Sequence, residues 1–145
     1  MLPGISQKRS LEGMSGLLEI PPHHLLAAFQ ALFALSIGHA IMDFPLQGEY
    51  IAMGKNWRLL KKLADPARPQ DIWIWCMGAH CLMHAGSVWV ITGSCLLGLI
   101  ELVLHWTIDV AKCSGRTNFH QDQCLHYFCK LAYATAAYLG WQPGW

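Results

Sequence analysis

The chain has 145 residues, 54% of them hydrophobic and 13% charged, about half the ~25% charged share of soluble domains. The length fits one domain, and a net charge of +1 supplies no basic field for nucleic acid. Composition therefore excludes a nucleic-acid-binding domain and points to an all-α integral membrane protein.

Residues 1–22 read as a tail, interfacial or loosely ordered. They carry Lys8 and Arg9 but neither a continuous apolar stretch nor a small-residue cleavage site, so they are no secretory signal, and Pro21 and Pro22 end them. Residues 23–141 read as one membrane domain with four spans, each near the ~20 apolar residues a bilayer requires. The first covers 23–44, with Asp43 as its one charged residue; the second covers 72–91. The third, 95–112, follows a break at Thr92–Ser94, and the fourth, 121–141, is the least apolar, carrying Asp122, His126 and Lys130. Up-down-up-down order is the simplest packing for four such segments.

Between the first two spans, Leu46, Tyr50, Met53, Trp57 and Leu60 recur at three- and four-residue spacing, while Lys55, Arg58, Lys61 and Lys62 fall largely on other faces. That pattern predicts a basic amphipathic helix at a membrane surface, or a solvated connector, ended by Pro66 and Pro69. Positive charge concentrates in this loop and in the one holding Lys112 and Arg116, which puts both loops in the cytoplasm and both termini outside. Four of the six cysteines lie in apolar stretches and none forms a Cys-x-x-Cys pair, so they read as reduced core residues. Gly78, Gly86, Gly93 and Gly98 read as sites of close helix packing.

Each span carries one pair of ligand-type residues. They are His39 and Asp43, His80 and His84, His105 and Asp109, and Asp122 and His126. Every spacing is i to i+4, which sets both side chains on one helix face. The first and third spans end at their pairs, and the second and fourth begin near theirs, so an alternating bundle brings all four to its cytoplasmic side. His80 and His84 sit about two turns deeper than this scheme wants. Ionisable groups in a span cost ~2.5–3.5 kcal/mol each on insertion scales and so face a partner or a polar cavity. Imidazole and carboxylate donors suit Zn²⁺, with Fe²⁺ or Mn²⁺ as alternatives. Eight such residues exceed one tetrahedral ion, so either two metals bind or some of the eight orient the true ligands. The metal candidates are His39, Asp43, His80, His84, His105, Asp109 and His126. Asp122 is a candidate catalytic base, or a helix cap. Glu101, one turn before His105, is a candidate base, a further ligand, or a partner for Thr92 or Gln30. Lys112 snorkels to the interface or meets a phosphate headgroup.

The stretches "HAIMDFPLQ", "HWTIDVAK" and "NFHQDQCLH" together resemble domain-of-unknown-function family 3307, small integral-membrane proteins of bacteria and their phages. The resemblance runs from about His39 to His126, with His39, Asp43, Gln47, His105, Asp109, Lys112, Asp122, Gln123 and His126 at motif positions and "HCLMH" as a looser match. It implies a multi-span helical protein of the bacterial inner membrane and no particular activity. A more distant likeness is to bacterial membrane-bound metal-dependent hydrolases. The leading expectation is a Zn-dependent hydrolase acting on a membrane lipid or lipid-linked substrate at the cytoplasmic leaflet, as monomer or homo-oligomer. The alternatives are an ion or proton channel, a small phage or prophage membrane effector whose polar core only specifies packing, and a bis-His haem protein.

Overall fold

A computed structural model describes residues 17–18, 20–64 and 68–141, and among them every regular element is a helix. Residues 1–16 and 19 of the expected tail, with Lys8 and Arg9, lie outside the described residues, as does Pro66. The helices are α1 (Leu25–Asp43), α2 (Gly48–Gly54), α3 (Trp57–Leu63), α4 (Ile72–Thr92), α5 (Cys95–Cys113) and α6 (Phe119–Tyr138).

Local chemistry sets several boundaries. His24 Nδ1 accepts from the Ala27 amide at 3.1 Å to start α1, and the Ser94 side chain caps α5 at Leu97. Asn118 and Gln121 form a reciprocal capping box at α6. That box leaves Asp122 free to turn inward instead of capping its helix. Gly93, at φ 72°, closes α4, a left-handed position that favours glycine.

The four long helices pack side by side, with α1 against α4 and α6, and α5 against α4 and α6. At one end the His23 amide donates to the Tyr138 carbonyl at 2.7 Å, and at the other Lys112 meets Asp122 at 3.0 Å. Near the first end the interior is apolar, built from Leu35, Val88, Ile91, Leu97 and Tyr133. Toward the other end it is polar. Outward faces run the opposite way: Phe29, Phe33, Trp75, Leu82, Val103 and Phe128 are exposed.

Two of the four expected spans, α1 and α4, are long and apolar enough to cross a membrane. By that measure α5 and α6 are not. On α5 the reason is charge, from Glu101, Asp109 and Lys112; on α6 it is low hydropathy, to which Gln121, Asp122, Gln123, His126 and Lys130 contribute. Of the charged residues, all except Lys112 are buried inside the bundle.

The single amphipathic helix expected between the first two spans is instead two short ones. Asn56 breaks the run, its side chain capping α3 through the Leu59 amide at 3.1 Å. The break turns Lys55 into the protein, where it is buried and bonded to Asp109. Helix α2 packs on the first turns of α4, with Gly54 so close to Cys76 that a Cβ would come within 2.5 Å of the sulfur. Trp57 and Trp73 pack nearby at a tilt of 52°, ring centroids 5.2 Å apart. This cover explains the depth of His80 and His84, since the opening turns of α4 serve as the seat for α2 and α3.

The four glycines differ in role. A Cβ at Gly98 would lie 2.9 Å from the Ala85 carbonyl oxygen and 3.1 Å from Trp89 Cβ, so α4 and α5 meet backbone to backbone there. A Cβ at Gly86 meets nothing within 4 Å. Gly98→Ala is therefore expected to cost about 1–3 kcal/mol from overpacking. Gly86→Ala should be neutral or slightly stabilising by helix propensity. Midpoints of thermal unfolding for the two variants, side by side, check this.

Candidate metal centre

The i to i+4 pairs do converge. Asp43 comes from the last turn of α1, His80 and His84 from the middle of α4, His105 and Asp109 from the second half of α5, and Asp122 and His126 from the start of α6. All except Asp43 are at most 1% exposed, and the Asp43 side chain is 10% exposed.

Asp43, His80, His84 and His105 each offer one donor atom within 4.8 Å of the others. His84 Nε2 lies 3.1 Å and His80 Nε2 3.3 Å from Asp43 Oδ1, and His80 Nε2 lies 3.2 Å from His105 Nε2. Bonds of ~2.0–2.1 Å to a tetrahedral zinc imply donor separations of ~3.3 Å, so these three edges match. A second group, His105, Asp109 and His126, meets the same 4.8 Å criterion. These residues could hold a metal ion.

Supporting contacts orient the donors. His105 Nδ1 donates to Glu101 Oε1 at 3.1 Å, leaving the Nε2 lone pair to face the cluster. A carboxylate behind an imidazole is a common way to fix the tautomer of a ligating histidine. Gln123 Nε2 donates to Asp43 Oδ2 at 2.7 Å, which turns Oδ1 toward His80 and His84. His39 stands beside the four-donor group, with Nε2 3.4 Å from Asp43 Oδ2 and 3.3 Å from Gln123 Oε1. His84, His105 and His126 form a column of stacked rings, with centroids 3.7 and 4.0 Å apart at successive steps. That spacing leaves no room for a haem between them.

Glu101 has both oxygens engaged. Lys130 and His105 meet Oε1, and Tyr133 donates to Oε2 at 2.9 Å. Neither Thr92 nor Gln30 is its partner; the Thr92 hydroxyl donates to the Val88 carbonyl. Lys112 pairs with Asp122 Oδ2 at 3.0 Å, and Lys55 with Asp109 Oδ2 at 2.6 Å. Among the described residues, four carboxylates of the cluster thus face three ammoniums, and one carboxylate is left without an ammonium partner. That carboxylate is Asp43, which faces His39, His80 and His84.

Lys55, Lys130 and Tyr133 escape a reading by spacing alone. Lys55 sits among basic residues that read as a solvated face, although the Gly54–Asn56 interruption marks the turn that sends it inward. Lys130 is one turn past His126 on α6, so the face of the Asp122–His126 pair extends to it.

The match to known families decides what the chain is. Residues 31–142 match a family described as "Protein of unknown function (DUF3307)". The chain belongs to the DUF3307 family. Every donor and supporting residue of the cluster falls within the matched segment. No curated protein and no solved structure gives a significant match, so the likeness to membrane-bound hydrolases finds no support there.

Proposed function

We propose that this DUF3307 protein is a membrane-embedded metalloprotein whose metal, best read as Zn²⁺, serves hydrolysis of a lipid or lipid-linked substrate. The observation that carries the metal reading is the convergence of three imidazole nitrogens and one carboxylate oxygen from three helices, three of their separations matching tetrahedral edges and all within 4.8 Å. A buried carboxylate with no ammonium partner, set among imidazoles, is what a divalent cation relieves. Embedding of all four long helices is supported by the inverted surface: the charges of α5 and α6 turn inward while apolar side chains face out. On this reading α2 and α3 lie at the cytoplasmic interface and both termini lie on the far side.

Asp43, His80, His84 and His105 would hold the zinc ion, which would supply Lewis-acid chemistry and the activation of water. The chain's own residues divide the remaining work. His80, His84 and His105 are the inner donors, and Glu101 is a positioning residue that holds His105. Asp43, the most exposed donor, marks the side from which substrate arrives. Asp122 stands beside His126 at the edge of the cluster, its Oδ2 held by Lys112.

Elemental analysis of detergent-purified protein tests the metal. At least one zinc, iron or manganese per chain is expected, and chelation should lower the thermal midpoint, since metal at 100 times its Kd adds about 2.7 kcal/mol. A metal-free protein indifferent to chelator would overturn the reading. For the reaction, lipid products released from phosphatidylethanolamine and phosphatidylglycerol vesicles can be followed by mass spectrometry, with and without chelator.

A further inference from the structure

We propose that the cluster holds a second divalent cation at Asp109 Oδ1, Asp122 Oδ1 and His126 Nε2. This rests on the metal reading above and adds a separate site.

His126 Nε2 lies 3.6 Å from Asp109 Oδ1 and 3.7 Å from Asp122 Oδ1. Those separations exceed hydrogen-bond reach, yet all three residues are 1% exposed. His126 Nε2 and Asp122 Oδ1 are both buried with no hydrogen-bond partner, a cost that a polar group sustains only when something fills the gap. Two carboxylate oxygens flanking one imidazole nitrogen just beyond hydrogen-bond reach suit a cation.

Sharing His105 between the two groups does not work. Its Nδ1 proton is committed to Glu101, and the remaining Nε2 has one lone pair, which the first site uses. Asp122 takes its place in the second site. Asp109 divides its oxygens, with Oδ1 3.6 Å from His126 Nε2 and Oδ2 bonded to Lys55. Two carboxylates and one imidazole make a harder donor set than the histidine-rich first site, better matched to Mn²⁺ or Fe²⁺. Paired metals joined by carboxylates are a recurrent product of facing helices in four-helix bundles.

Charge sets the order of filling. The first ion offsets the carboxylate of Asp43, and the second then competes with Lys55 and Lys112 for Asp109 and Asp122. Lys112, with a 30% exposed side chain, can withdraw to water and release Asp122. The second ion therefore binds more weakly than the first.

Titration of the metal-depleted full chain in detergent with Co²⁺ tests this. The first equivalent should give the intense visible absorption of a tetrahedral ion, and a second, weaker equivalent should add little absorption. Asp122→Asn should remove only the second, and Lys112→Met should tighten it about tenfold by deleting a charge-assisted competitor. One ion per chain at saturation in the unmodified protein overturns the second site and leaves the first intact. So do two ions undiminished in both Asp122→Asn and His126→Gln. If Asp122→Asn does not fold, the stoichiometry of the unmodified chain decides alone. No Co²⁺ bound at all overturns the underlying metal reading as well.

Discussion

His84→Ala is expected to purify essentially without metal, whereas His39→Ala retains it. The two histidines look equivalent in the sequence, each paired with a second polar residue four positions away. The structure separates them. His84 Nε2 is 3.1 Å from Asp43 Oδ1 and belongs to the four-donor group, while His39 meets the other Asp43 oxygen and Gln123. Loss of a residue that orients a ligand typically weakens metal binding about 10- to 100-fold, and that is the expectation for His39→Ala. Removal of a donor should exceed that range, leaving no ion after dialysis. Elemental analysis reads the difference directly. Thermal scans add a second readout, because chelator should shift the midpoint of the unmodified chain and of His39→Ala, but not of His84→Ala. Equal metal loss in the two variants would erase the distinction between donor and support.

This division of labour marks the limit of what spacing reveals. Apolar runs bounded by His24, Gly93, Ser94 and Asn118 place α1, α4, α5 and α6, because burial and capping act locally. The i to i+4 rule then sets each pair on one face, and alternating helices bring the faces together. Periodicity cannot say which nitrogen of an imidazole points where. That depends on Glu101 behind His105 and Gln123 behind Asp43, contacts made across helices. Lys55 and Lys130 were hidden for a related reason: a lysine reads as a solvated charge unless the acid that draws it inward is known. The break of the connecting helix at Asn56 and the burial of Lys55 against Asp109 are thus one event, local capping chemistry joined to a distant carboxylate.

Lys130→Met should be the most destabilising of the substitutions considered. Lys130 is about 1% exposed, its ammonium bonded to Glu101 in the interior. Removing one partner of a buried pair strands the other charge, at a typical cost of about 3–5 kcal/mol. Glu101→Gln should cost a similar amount for the opposite reason, an ammonium left without its carboxylate. It should also weaken metal binding about 10- to 100-fold, since an amide orients His105 less firmly than a carboxylate. The double variant Glu101→Gln/Lys130→Met removes both charges and should regain most of the lost stability, as neutral replacements of buried pairs often do. Its metal binding should stay weak, because Lys130 touches no donor directly while Glu101 bonds His105. Unfolding midpoints for the four chains of this cycle give the coupling between the two residues. Metal affinities measured on the same chains show whether Glu101 acts on the centre through His105 or merely holds α5 against α6. A double variant that recovers stability and metal affinity together would favour the second role, and one that recovers stability alone favours the first.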